Sequence, residues 1–174
     1  MNEDCNREPP EEVKIGYTHE GGVLSISNKY LIEIIRDVTA RGRKFRFEAP
    51  GFSMSPFIRD RDIITIAPYQ RSSCGIGAVL AFVRPGTGQL IVHRVVAAAG
   101  DGWRMKGDNN PEEDGVIPHD SIIGKVIRVE RTGKPIRQGL GPERFIIALL
   151  SRRNLLSYPL YPIGMLYAVI RRYS

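Results

Sequence analysis

A series of short apolar segments, each closed by a turn rich in glycine, proline or asparagine, constrains this chain more than any other feature. From residue 44 the hydrophobic period is two: Phe45, Phe47 and Ala49 alternate with Lys44, Arg46 and Glu48, the pattern of a half-buried strand. Further strand-like segments follow at 62–67, 78–83, 89–97, 103–106 and 121–130. Between them stand Pro85-Gly86-Thr87-Gly88, Gly100-Asp101-Gly102 and Gly107-Asp108-Asn109-Asn110, residues that supply the backbone conformations and side-chain hydrogen bonds of tight turns. Many short strands with short connections imply a mainly β domain and disfavour a helical bundle. We place that domain at 43–130.

The flanks differ. Residues 1–26 read as a polar tail containing Pro9 and Pro10. Residues 27–42 read as an amphipathic helix: Leu31, Ile34, Ile35 and Val38 share helical spacing, Ser27 is placed to cap the start, and Gly42 marks the stop. Residues 143–174 form a basic and apolar segment expected to be helical, with arginine pairs at 152–153 and 171–172.

The formal net charge is +6, unevenly spread. Glu3, Asp4, Glu8, Glu11 and Glu12 crowd the start, whereas beyond Arg128 only Glu130 and Glu143 oppose the lysines and arginines. With no zinc-finger spacing and no aromatic RNA-binding motif, no nucleic-acid partner is expected. The basic C-terminal segment better suits peripheral contact with an anionic membrane. The longest uncharged stretch, 154–170, is broken by Pro159 and Pro162 and falls short of the ~18–20 apolar residues of a spanning helix. The start lacks the basic-then-apolar pattern of a signal peptide, so the expected location is peripheral on a membrane or cytoplasmic. Cys5 and Cys74 form no metal or redox spacing, and no cofactor or metal is expected.

Three segments hold residues suited to chemistry. Pro50-Gly51-Phe52-Ser53-Met54-Ser55-Pro56 puts a serine beside a glycine directly after a strand; most such serines simply sit in turns. His93 stands inside an apolar strand, where it is either a satisfied core histidine or a neutral imidazole able to accept a serine proton. Lys106-Gly107-Asp108-Asn109-Asn110, followed by Glu113-Asp114, reads as a hairpin turn or as the source of a carboxylate that orients the imidazole.

Taken together, the three resemble the type I signal peptidase family. Ser53-Met54-Ser55-Pro56 matches the family's serine box. Arg61-Asp62-Ile63-Ile64 stands where it has Gly-Asp before an aliphatic strand. His93-Arg94-Val95 matches the base box of the branch that uses histidine, found in the endoplasmic reticulum, archaea and some Gram-positive bacteria. Residues 106–110 match its Lys-Gly-Asp-Asn-Asn box, and Gly124-Lys125-Val126 its closing strand. The resemblance implies the coiled antiparallel β fold shared with repressor-type autoproteases, and a serine endopeptidase acting on a precursor or leader peptide. It also implies Ser53 as nucleophile, His93 as base, Asp114 (alternatively Asp108) as orienting carboxylate, and Gly51, Phe52 and Met54 as substrate-binding residues. The chain departs from the family at Gly51, where a serine is usual, and in lacking an N-terminal membrane anchor. A catalytically inactive peptide-binding scaffold, or a self-cleaving regulator cut near Ala99-Gly100, are the rival readings.

Overall fold

The computed structural model describes residues 18–19, 22–23 and 28–156. The rest of the tail and the apolar run from 157 onward lie outside the described residues. Within the segment read as a polar tail, β1 (Thr18–His19) and β2 (Gly22–Val23) pair antiparallel.

The helix read at 27–42 occupies Asn28–Ala40 (α1). It buries Leu31, Ile35 and Thr39, a stripe at intervals of four, while Ile34 turns outward and is exposed beside Tyr30. The Thr39 hydroxyl donates to the Ile35 carbonyl at 2.8 Å. Gly42, at φ +74°, ends the helix: its N–H donates to Thr39 O while that of Arg43 donates to Val38 O, a Schellman closure needing a left-handed residue.

Eight strands follow: β3 (Phe45–Ala49), β4 (Asp62–Pro68), β5 (Val79–Val83), β6 (Leu90–Ala99), β7 (Gly102–Lys106), β8 (Glu113–Pro118), β9 (Ile122–Arg131) and β10 (Lys134–Ile136). The sheet is mainly antiparallel, in the order β3-β4-β9-β5-β6-β7-β8, with β10 also on β9. The sheet therefore continues past the expected boundary at 130. β8 was not legible as a strand: it carries Asp114 and Gly115, and Ile117 is its only buried apolar residue. It is an edge strand, with no strand partner on its outer side among the described residues. A second helix, α2 (Arg144–Arg152), follows.

Apolar side chains pack on both sides of β5. Val79 and Ala81 join Leu31, Ile35, Phe47, Met54, Ile64 and Val126 in one cluster; Leu80 and Phe82 join Val95, Met105 and Ile117 in another. A strand buried on both faces needs a continuous apolar sequence, and Val79–Val83 is one. One local irregularity positions the site. β6 pairs with β5 through residues 90–94 and with β7 only through residues 94–99, so among the described residues Leu90–His93 have no strand partner on one edge.

Candidate active site

β3 ends at Ala49, and the chain turns through residues 50–60 before β4. Gly51 has φ +95°, a conformation that a serine would adopt only with strain, and its N–H donates to Asp60 Oδ1 at 2.8 Å. Ser53 sits in the turn itself. Met54 is buried in the first cluster and pins the turn to the core; Met54 and Phe52 close it through N–H bonds from Ile58 and Ser55. Arg61 lies at φ +67°, a left-handed conformation that a residue other than glycine seldom adopts.

His93 lies on β6, buried, with Nδ1 2.5 Å from Asp114 Oδ2. An ionised carboxylate only accepts hydrogen bonds, so Nδ1 is the donor and Nε2 is left as acceptor. Asp114 comes from β8, its side chain 3% exposed, and its other oxygen, Oδ1, accepts from Arg84 Nη2. Burial pushes the Asp114 carboxyl up, but the hydrogen bond and charge of His93, reinforced by Arg84, hold it below its ordinary value.

Asp108 occupies a different environment. It is fully buried and takes a two-pronged bond from Arg94, Nε to Oδ1 at 2.8 Å and Nη2 to Oδ2 at 2.7 Å. Arg94 Nη1 also donates to Gly77 O and Gly139 O, and its guanidinium lies over the Phe57 ring. An aspartate heading a turn ordinarily accepts from nearby backbone N–H groups; here the arginine fork takes that place. Burial pushes the Asp108 carboxyl up, against the pull of Arg94. Because neighbouring strand residues face opposite ways, His93 and Arg94 serve two different carboxylates.

The box at 106–110 also braces the serine turn. Asn109 N–H donates to Ser53 O at 2.8 Å, and its side-chain amide donates to Phe52 O at 3.3 Å. Lys106 Nζ donates to Asn110 O, and burial lowers its pKa against the pull of Asp108, Glu113 and Asp114. Gly107 has no room for a side chain: a Cβ there would lie 2.7 Å from Ser53 O and 2.9 Å from His93 Nε2.

Ser53 and His93 share the wall of a cleft of about 380 Å³, together with Gly51, Met54 and Asn110. Leu31, Phe47, Ile58, Leu90 and Val92 make it largely apolar. Phe52 is not among the residues that line it. The Ser53 hydroxyl makes no hydrogen bond among the described residues. His119, beginning a short 3₁₀ turn, lies away from the cleft lining with Nδ1 2.7 Å from Tyr69 Oη. Among the described residues no group of three or more His, Cys, Asp or Glu is placed to hold a metal ion.

Sequence reasoning missed Arg84 and the role of Arg94. An arginine inside an apolar strand demands a buried acid, so Arg94 was a readable signal. Arg84, ahead of a Pro-Gly-Thr-Gly turn, gave none.

The antiparallel sheet brings a serine turn and a histidine, itself held by an aspartate, to one largely apolar cleft, an arrangement that suits a serine-peptidase-like hydrolase. The chain belongs to the Peptidase S24-like family, which it matches over residues 12–127, two thirds of its length. No curated protein matches it. No helix among the described residues is long and apolar enough to cross a membrane.

Proposed function

We propose that this protein is a serine endopeptidase of the type I signal peptidase kind, in the branch that uses histidine, and that it cleaves an extended precursor or leader peptide. The observation that carries the reading is the His93 imidazole, which is committed through Nδ1 to Asp114 and lines the same cleft as Ser53. Ser53 Oγ attacks the scissile carbonyl as its proton passes to Nε2; Asp114 steadies the imidazolium, which then protonates the leaving amine. Water, deprotonated by His93, releases the acyl group from Ser53. The Ser53 N–H, engaged by no backbone carbonyl among the described residues, serves the oxyanion. Asp108 holds the loop.

The substrate pairs as an added strand with the edge of Leu90–Val92 that no strand among the described residues takes, its side chains entering the apolar cleft. Resemblance to signal peptidases implies small residues such as alanine before the cut. The exposed Phe145, Ile146 and Leu149 of α2, with Arg152 and Arg153 beyond, give peripheral contact with an anionic membrane; Ile146→Glu with Leu149→Glu should abolish sedimentation with anionic vesicles. Self-cleavage at Ala99-Gly100 is less well supported. That bond ends β6, six residues from His93 or roughly 20 Å along an extended strand, and Ala99 is paired to Gly102.

The test is cleavage of synthetic leader peptides with alanine before the cut, followed by mass spectrometry. Defined products from the wild type and none from Ser53→Ala support the reading; products that persist in Ser53→Ala contradict it.

A further inference from the structure

Arg84 is the one lysine or arginine among the described residues that line the cleft. It follows β5 and closes the β5–β6 turn, its N–H donating to Gln89 O at 2.8 Å and its carbonyl accepting from Gly88 N at 3.0 Å. The guanidinium is thus carried on a braced backbone. Its side chain is 36% exposed, yet it reaches the Asp114 carboxylate, itself 3% exposed. The two oxygens of Asp114 are divided between His93 and Arg84.

We propose that Arg84 is a positioning residue of this site: it seats on the Asp114 oxygen that His93 leaves free, fixing the carboxylate and balancing its charge. The proposal rests on the reading of Ser53, His93 and Asp114 as the reacting unit. A lone buried carboxylate beside an imidazole favours the imidazolium, because an opposite charge within a few ångströms stabilises the charged form. Imidazolium cannot accept the serine proton. A cation on the far oxygen offsets that pull without loosening the orientation of the ring. The other charged groups facing this pair are Lys106, from β7, and Asp108, from the loop after it. Asp108 is matched by Arg94, and Glu113 on β8 by Arg104 at 3.4 Å. Arg84 is therefore the charge most directly set against Asp114 on the cleft side.

The experiment compares wild type, Arg84→Ala and Arg84→Lys in two ways: the pH dependence of fluorophosphonate labelling of Ser53, and the pH titration of the His93 ring resonances by NMR. For Arg84→Ala the acid limb of labelling moves up by about one pH unit, the lower end of the effect of a neighbouring charge. Labelling then falls about tenfold below the limb and converges on wild type at alkaline pH. The His93 midpoint rises in parallel, and Arg84→Lys, which keeps the charge, returns both toward wild type. A loss of labelling equal at every pH, or a His93 midpoint unchanged or lowered in Arg84→Ala, overturns the proposal. The NMR readout needs no turnover. Unlabelled wild-type Ser53 with the predicted His93 shifts would sink the peptidase reading and leave the role of Arg84 standing. Normal labelling without the shifts would do the reverse.

Discussion

Two aspartates six residues apart each meet an arginine, and they are put to opposite uses. Asp108 and Arg94 are both 0% exposed and spend their bonding on each other and on the carbonyls of Gly77 and Gly139. Arg84 lines the cleft, partly in solvent, and the buried Asp114 carboxylate it meets shares itself with an imidazole. A closed pair with every bond assigned inside the fold can only hold segments together. An open pair with one oxygen on a base next to a cleft can influence a proton. The difference comes from burial and from the third partner, not from residue type.

The largest expected effect is at the serine. Ser53→Ala should lower turnover by roughly 10⁶-fold, the cost of removing a nucleophile that acts as a unit with its base, whereas Ser55→Ala should stay within a few-fold of wild type. Equal losses in the two would place the reacting serine wrongly. Asp114→Asn comes next, with turnover down by up to roughly 10⁴-fold, as for a base in the wrong tautomer, and a melting temperature lowered less than that of Asp108→Asn.

Asp108→Asn should break the comparison from the other side. Removing one partner leaves Arg94 charged and buried, a loss of about 3–5 kcal/mol seen in denaturant unfolding, while turnover at low temperature is largely kept. A stable but inactive Asp108→Asn with an active Asp114→Asn would exchange the two roles. Gly107→Ala probes the space between them: its Cβ would force apart Ser53 O and His93 Nε2, and a displacement of about 1 Å costs on the order of 10²-fold in rate. Wild-type turnover in that variant would show that the spacing of the two residues is not critical.

The smallest effect is on acid stability. The folded-state value of Asp114 is depressed, so its ionisation stabilises the fold above the unfolded carboxylate value of about 3.9. That contribution is lost as pH falls through the folded value. Asp114→Asn should therefore lose stability less steeply than wild type below about pH 4; an unchanged slope in thermal melts would contradict the assignment of the shift.

Strand periodicity made most of the sheet legible, since Phe45, Phe47 and Ala49 alternate because one face of β3 is buried. β8 was hidden because an edge strand with one buried residue carries no hydrophobic pattern. Ile34 was misplaced because helical spacing defines a stripe without saying how wide the covering core is. Ser53, His93, Asp108 and Asp114 stood out through their boxes. The division of labour between the aspartates depends on Arg84 and Arg94, which reach them from other strands, and no local spacing records such a pairing.

The central claim, that Ser53 is activated by a histidine held on Asp114, is tested most directly by fluorophosphonate labelling with the modified residue located by mass spectrometry. The account predicts a single label on Ser53 in the wild type, lost in Ser53→Ala and His93→Ala and retained in folded Asp108→Asn. A label on Ser55, or labelling of Ser53 that survives in His93→Ala at the wild-type rate, would contradict it.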